Sequence, residues 1–234
     1  MDLIVEEKKK VRLDFAKAHI TYKDSMEQKV PGVTTVLNAV LAKPALIPWA
    51  YKRGKEGLEL YGSRDKAADI GTIVHARIMA YFLGYEIDNF NISLETWELS
   101  DNSLVSFYEW ARPRKVRPIL VEIPQVSEKH GYGGTPDVYG EMDNELTLLD
   151  FKTGGGIYPD FFYQIAPYSK SLIENGYPHK KIIILNLPKS EGDTFQVQQV
   201  SSDNLELEFK IFLNCLSIFN LQNEIKNKKK GGVI

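Results

Sequence analysis

Cysteine occurs once, at Cys215, and that scarcity removes any disulfide framework and any all-cysteine zinc or iron–sulfur site. Long apolar runs are missing too. The longest, Ala45–Ala50 and Ile182–Leu187, fall far below the roughly 20 residues a membrane-spanning helix needs. Neither sign of charge is in excess: 29 Lys+Arg stand against 31 Asp+Glu, a net of −2, which argues against a chain that coats nucleic acid by bulk charge alone. There is no internal repeat and no low-complexity linker. The opening Met-Asp-Leu-Ile-Val-Glu-Glu-Lys-Lys-Lys carries too short an apolar stretch for a signal peptide, so the expectation is a cytoplasmic protein without a membrane partner. What is present is buriable surface. With 43% hydrophobic and 11% aromatic residues in 234, the composition excludes a disordered chain or a pure coiled coil and suits one domain spanning 1–234.

Local patterns divide that domain into a mainly helical part (11–111), a core rich in β-structure (112–200) and a C-terminal helix (204–226). Val11–Asp24 alternates like one or two early strands. Thr34 or Thr35 is placed to cap a helix through Val36, Leu37, Val40 and Leu41. Pro44 and Pro48 precede a helix from Trp49 to about Leu60, ended by Gly62-Ser63. A longer helix over Arg64–Leu83 stops at Gly84, and another, entered near Ser93, runs over Leu94–Ala111. Strands are expected at Ile119–Ile123, Asp137–Met142 and Glu145–Lys152, then a helix at Pro159–Asn175. Pro167 deletes one backbone hydrogen bond there and should kink the helix near Tyr163. A buried strand at Ile182–Leu187 and an edge strand at Phe195–Val200 complete an α/β core, a central mixed sheet flanked by helices. The terminal helix carries Leu205, Leu207, Ile211, Phe212, Cys215, Ile218, Phe219 and Leu221. The Lys226–Lys230 run after it reads as a disordered or weakly attracting tail.

Chemistry concentrates in Gly133-Gly134-Thr135-Pro136-Asp137 and Leu148-Leu149-Asp150-Phe151-Lys152-Thr153-Gly154. Asp143-Asn144 suits a two-residue hairpin turn, which pairs Met142 with Glu145 and places Asp137 opposite Asp150. Cross-strand partners hold their Cβ atoms about 4.5–5.5 Å apart, and Lys152 projects from the same face as Asp150. Two carboxylates that close repel, and a divalent cation between them resolves the conflict; oxygen ligands select Mg²⁺ or Mn²⁺. The bland alternative is a hairpin with solvated Asp and Lys side chains. The flanking Leu-Thr-Leu-Leu-Asp-Phe-Lys is too apolar for a free surface, which weakens that alternative. Glu122, in Ile-Leu-Val-Glu-Ile, offers a third acid.

Taken together, Gly-Thr-Pro-Asp137, Asp150-Phe-Lys152-Thr-Gly and Gln164-Ile-Ala-Pro-Tyr168 resemble the PD-(D/E)xK nuclease superfamily. The branch most similar is that of RecB-like and phage or mitochondrial-type exonucleases. Gly71-Thr-Ile-Val-His75 matches that branch's upstream Gly-x-x-x-His, Glu122 its acid ahead of the first Asp, and Pro31 to Leu37 its opening motif. The likeness covers roughly residues 15–187. It implies a restriction-endonuclease-like core, with Asp137 and Asp150 as metal ligands, the Phe151 carbonyl and His75 as further ligands, and Glu122 in support. Lys152 becomes the catalytic lysine. Gln164 and Tyr168, one helical turn apart, would contact the DNA backbone or hold that lysine. The iron–sulfur sub-branch is excluded by the single cysteine.

Basic residues cluster at Arg112, Arg114, Lys115 and Arg117 and, with Trp49, Tyr51 and Tyr61, at Lys52, Arg53, Lys55, Arg64 and Lys66. Such clusters suit phosphates gripped by cations and bases stacked on rings. The resemblance and these residues together imply a Mg²⁺- or Mn²⁺-dependent DNA exonuclease of replication, repair or recombination, in a phage or bacterial setting. Its substrate would be DNA with a free end, with room for a homo-oligomer or a recombination partner protein. The alternatives are a structure-specific endonuclease with the same site and a non-catalytic DNA-binding recombination accessory domain.

Overall fold

In the computed structural model the described residues are 9–12, 20–42, 46–57, 60–90, 92–189 and 193–230. Three short strands, β1 (Lys10–Arg12) and the β2 (Tyr22–Lys23)–β3 (Lys29–Val30) hairpin, precede α1 (Val33–Val40), α2 (Leu46–Lys55) and α3 (Leu60–Leu83). β4 (Glu86–Asp88) pairs in parallel with β1, and α4 (Leu94–Ala111) leads into the central sheet. There follow β5 (Val116–Val121), the β6 (Gln125–Ser127)–β7 (Tyr132–Gly134) pair, β8 (Val138–Met142) and β9 (Glu145–Thr153). Then come α5 (Pro159–Glu174), β10 (Lys181–Leu187), β11 (Gln196–Ser201) and α6 (Glu206–Lys230). The five-stranded sheet has the order β11-β10-β9-β8-β5, parallel only between β9 and β10. It is the expected mixed α/β core. No helix of the described residues is long and apolar enough to cross a membrane.

The β8–β9 hairpin takes the register read from the sequence, Met142 against Glu145 and Val138 against Leu149. Asp143 and Asn144 both have positive φ, 53° and 68°, the backbone of a type I′ turn; Asp and Asn accept that region more readily than most residues. Alternation along β9 then sorts its side chains. Leu148 enters the core formed with α1, α5 and α6, whereas Leu149 and Phe151 enter the one formed with α3 and α4. Phe151 meets the Phe107 ring edge-on at 5.6 Å between centroids, which anchors β9 and sends its neighbours Asp150 and Lys152 to the opposite face. On the other side of β8, the β5 ladder shifts between Pro118 and Leu120. Gly140 is required there: an added Cβ would fall 2.4 Å from the Arg117 carbonyl oxygen.

Several boundaries differ from the sequence reading. α1 starts after Gly32 with no side-chain cap, so neither Thr34 nor Thr35 caps it. α2 begins three residues earlier than expected, with Pro48 in its first turn, where a proline breaks no helical hydrogen bond. Gly62-Ser63 lies inside α3; the break falls at Gly57, whose φ of +66° leaves the helix. β5 ends at Val121 because Glu122 turns into the left-handed region at φ 49°. α5 ends at Glu174, one residue short of the expected Asn175, and keeps Pro167 inside it. Residues 226–230 continue α6 rather than forming a tail. The apolar residues of α6 also divide between two faces: Leu205, Phe209, Phe212, Cys215 and Leu216 are buried, while Leu207, Ile218 and Leu221 are exposed.

Gly140→Ala should destabilise the protein by about 1–3 kcal/mol in urea unfolding, because the obstructing atoms are backbone and cannot rotate away. Asn144→Gly, at a turn position that suits glycine, should leave stability within about 0.5 kcal/mol.

Candidate metal and catalytic centre

Three chain segments meet at the end of the sheet opposite the β8–β9 turn. Glu122 leaves β5 with a strained backbone, and its N–H donates to the Asp137 carbonyl oxygen at 2.8 Å, tying the end of β5 to the start of β8. Asp137 sits just before the first β8 pair. Its Oδ2 accepts the Phe151 N–H at 2.7 Å, so the carboxylate is aimed along the end of β9. Its Oδ1 lies 3.7 Å from His75 Nδ1. Ligand atoms of His75, Glu122 and Asp137 all fall within 4.8 Å of one another. One imidazole nitrogen and two carboxylates at that spacing are a donor set for a divalent cation.

Gly71 explains how His75 reaches this point. A Cβ there would stand 2.9 Å from Thr153 Oγ1, so the glycine lets α3 pass close to the end of β9. One turn further along α3, His75 faces the acids. A second glycine effect shapes the loop carrying Asp137. A Cβ on Gly134 would be 2.4 Å from Tyr168 Cε1, and one on Gly133 would be 2.2 Å from Tyr22 Cγ. Two aromatic rings therefore lie directly on this loop, and the Tyr22 hydroxyl shares a 2.9 Å hydrogen bond with Thr135 Oγ1. Tyr22 was not among the residues singled out from sequence; the glycine doublet was its signal.

Beside the donor set, Asp150 is 1% exposed. Lys152 Nζ lies 2.7 Å from its Oδ2, which receives no aligned hydrogen bond. Burial pushes the Asp150 carboxyl up to about 6; Lys152 pulls against that rise and Asp137 adds to it. The ammonium also donates to Gln164 Oε1 at 3.0 Å, and Gln164 Nε2 donates to the Tyr168 hydroxyl at 3.1 Å. Tyr168 is buried and its hydroxyl is driven far above the ordinary range, so it stays neutral and fixes the amide. The Phe161 ring flanks the lysine, 5.4 Å from centroid to Nζ. A lysine confined in this way presents one ammonium in one place, next to two repelling carboxylates.

His75, Glu122, Asp137, Asp150, Lys152, Gln164 and Tyr168 thus come together. Among the described residues the converging donors are His75, Glu122 and Asp137. Asp150 Oδ2 lies against Lys152, and Glu122 lies beside His75 and Asp137. The Phe151 backbone N–H is engaged by Asp137.

The basic cluster does not surround the acids. Arg112, Arg114, Lys115 and Arg117 lie at the start of β5, where Val116 pairs with Met142, about 20 Å from Glu122 at the other end of the strand. Arg114 folds back onto Trp110, donating to its carbonyl, and Arg117 pairs with Glu141 at 2.6 Å. The Lys115 N–H donates to Asp143 in the hairpin turn. The antiparallel β5–β8 ladder causes this separation: a segment preceding β5 must lie at the hairpin end. Arg53 and Arg64 belong to α2 and α3, and their side chains lie outside the described residues.

The chain matches no protein-family model and no curated protein sequence. Among solved structures it is similar to an alkaline exonuclease from Laribacter hongkongensis, at 14% identity and a TM-score of 0.38, over 72% of this chain and 91% of that one. The same enzyme in complex with dAMP aligns at 15% identity and a TM-score of 0.36, over 71% and 91%. A protein from Eubacterium rectale described as a candidate exonuclease aligns at 10% identity and a TM-score of 0.41, over 70% and 69%. The case for chemistry rests on the side chains themselves.

Millimolar Mn²⁺ or Mg²⁺ should raise the melting temperature of the wild-type protein and leave that of Asp137→Ala unchanged, as read by differential scanning fluorimetry. Without metal, a buried Asp150 that holds its proton more tightly than in the unfolded chain stabilises fully below about pH 4. That contribution is lost as pH rises through about 6. Asp150→Asn should therefore flatten the stability profile between pH 4 and 6, measured by denaturant unfolding.

Proposed function

We propose that this chain is a metal-dependent nuclease that hydrolyses DNA phosphodiester bonds, working as an exonuclease from a free end in replication, repair or recombination. The observation that carries the reading is the buried Asp150–Lys152 pair beside the converging His75, Glu122 and Asp137. A carboxylate held at 1% exposure against a single lysine, next to further acids, is costly in a purely structural role.

The donors suit Mg²⁺ or Mn²⁺, with His75, Glu122 and Asp137 as direct ligands and Asp150 and the Phe151 carbonyl as further candidates. Bound there, the cation supplies positive charge to a phosphoryl oxygen and acidifies a coordinated water. Lys152 brings its ammonium to the scissile phosphate. From there it orients the attacking water or balances charge on the non-bridging oxygens as phosphorus becomes five-coordinate. The water oxygen forms the new P–O bond, the bond to the leaving nucleoside oxygen breaks, the proton shed by the water leaves to solvent, and the leaving oxygen takes up a proton from solvent to become a hydroxyl. Asp150 holds the Lys152 side chain at the site. Gln164 fixes the ammonium from the α5 side and is itself fixed by Tyr168. Phosphate contacts along the DNA fall to exposed cations. Our candidates are Arg112 and Lys115 for DNA running along β5 away from the site, Arg117 where DNA displaces Glu141, and further Arg114, Arg53 and Arg64.

Degradation of linear DNA should require Mg²⁺ or Mn²⁺ and fall at least about 100-fold in Lys152→Ala or Asp137→Ala variants that retain their circular dichroism. Unchanged activity in Lys152→Ala contradicts the mechanism. A closed circle left intact under the same conditions supports exonuclease action, and cutting of the circle supports an endonuclease.

A further inference from the structure

α6 carries a second apolar stripe that its own domain leaves uncovered. The buried residues Leu205, Phe209, Phe212, Cys215 and Leu216 pack into the core. On the opposite side, Leu207, Ile218, Leu221 and Ile225 are 70%, 45%, 57% and 52% exposed. Their spacing is the unusual feature. Ile211, Ile218 and Ile225 recur every seven residues, and so do Leu207, Asn214, Leu221 and Lys228. That is a heptad pattern with isoleucine at every a position and leucine at two of the four d positions, the combination that favours a two-stranded parallel coiled coil. Leu207, Asn214, Ile218, Leu221 and Ile225 lie on the solvent side of the helix, while Ile211, at the first a position, is half-buried against the core at the edge of the stripe. At 100° per residue the two stripes lie about 150° apart around the axis, so a partner helix can seat without displacing the domain.

We propose that α6 pairs with α6 of a second copy of this chain, parallel and in register, about a two-fold axis running along the helices. Two features select a second copy in this orientation. In a parallel pair Asn214 faces the partner's Asn214, and the two side-chain amides satisfy each other. An antiparallel pair centred on the same stripe sets Asn214 against the partner's Ile218, leaving two amides in an apolar seam. The flanking positions agree. Glu224, at g, is ion-paired with Lys228 of its own helix at 2.7 Å, and in a parallel pair it also faces the partner's Lys229 at the e position five residues on, twice by symmetry. Asn214 and those charges fix one register. Lys228, at the last d position, sets like charges against each other and ends the seam there. The stripe runs from Leu207 to Lys228, three heptads, within a helix that spans Glu206–Lys230.

The proposal is independent of the nuclease reading and is tested on the full-length protein by sedimentation equilibrium. A mass of twice 26.6 kDa is expected at micromolar concentration, falling to the single-chain mass in Ile218→Glu/Leu221→Glu. Circular dichroism and metal-free melting temperature should be little changed, since these side chains do not enter the domain core. Orientation is read by oxidative cross-linking in a Cys215→Ser background. Leu221→Cys alone should form a linked dimer, because d positions face each other in a parallel pair. Efficient linking only in the Ile211→Cys/Leu221→Cys double variant means an antiparallel pair and overturns the proposal. So does a single-chain mass for the wild type up to about 100 µM, or a dimer that survives Ile218→Glu/Leu221→Glu.

Discussion

Asp150 is 1% exposed on the middle strand of the sheet, with Lys152 as its immediate counter-charge and Asp137 as a repelling neighbour. Isolated, a carboxylate so placed would take up a proton or pull the strand apart. The surrounding structure holds it in place. Phe151, packed on Phe107 behind the sheet, fixes which way β9 faces. The type I′ turn at Asp143-Asn144 fixes its register against β8. Gln164 and Tyr168 hold the lysine from α5, and Gly134 gives the Tyr168 ring room to lie on the Asp137 loop. Each feature is modest on its own, and their agreement leaves the acids few other positions.

The same constraint explains the division of labour among the acids. Asp150 is buried against Lys152, whereas Glu122 and Asp137 lie at strand ends where the backbone can turn. Glu122 does so through a left-handed backbone conformation that swings it out of the β5 alternation and toward His75. The converging donors therefore come from the ends of two strands and the middle of a helix, an arrangement able to open onto solvent and substrate.

Much of this was legible in the sequence. The hairpin register followed from Asp143-Asn144 and from the period-two alternation of β9; helical spacing put Gln164 and Tyr168 on one face, and the resemblance tied them to the lysine. The left-handed turn at Glu122 was not legible, because a glutamate carries no local signal for positive φ and the strain is imposed by the tie to Asp137. Nor was the remoteness of the 112–117 cluster. Its closeness to Glu122 in sequence suggested closeness in space, but an extended strand separates its two ends by its full length. The two faces of α6 were read as one, since a list of apolar residues does not say which side the domain takes.

The central claim is that His75, Glu122 and Asp137 are ligands of one divalent cation. Pulsed electron paramagnetic resonance of added Mn²⁺ tests it directly, because a bound imidazole nitrogen modulates the echo at ¹⁴N frequencies. The account predicts that modulation in the wild-type protein, its loss in His75→Ala, and loss of tight Mn²⁺ binding in Asp137→Ala. Tightly bound Mn²⁺ with no nitrogen modulation, or binding unaffected by Asp137→Ala, would contradict it.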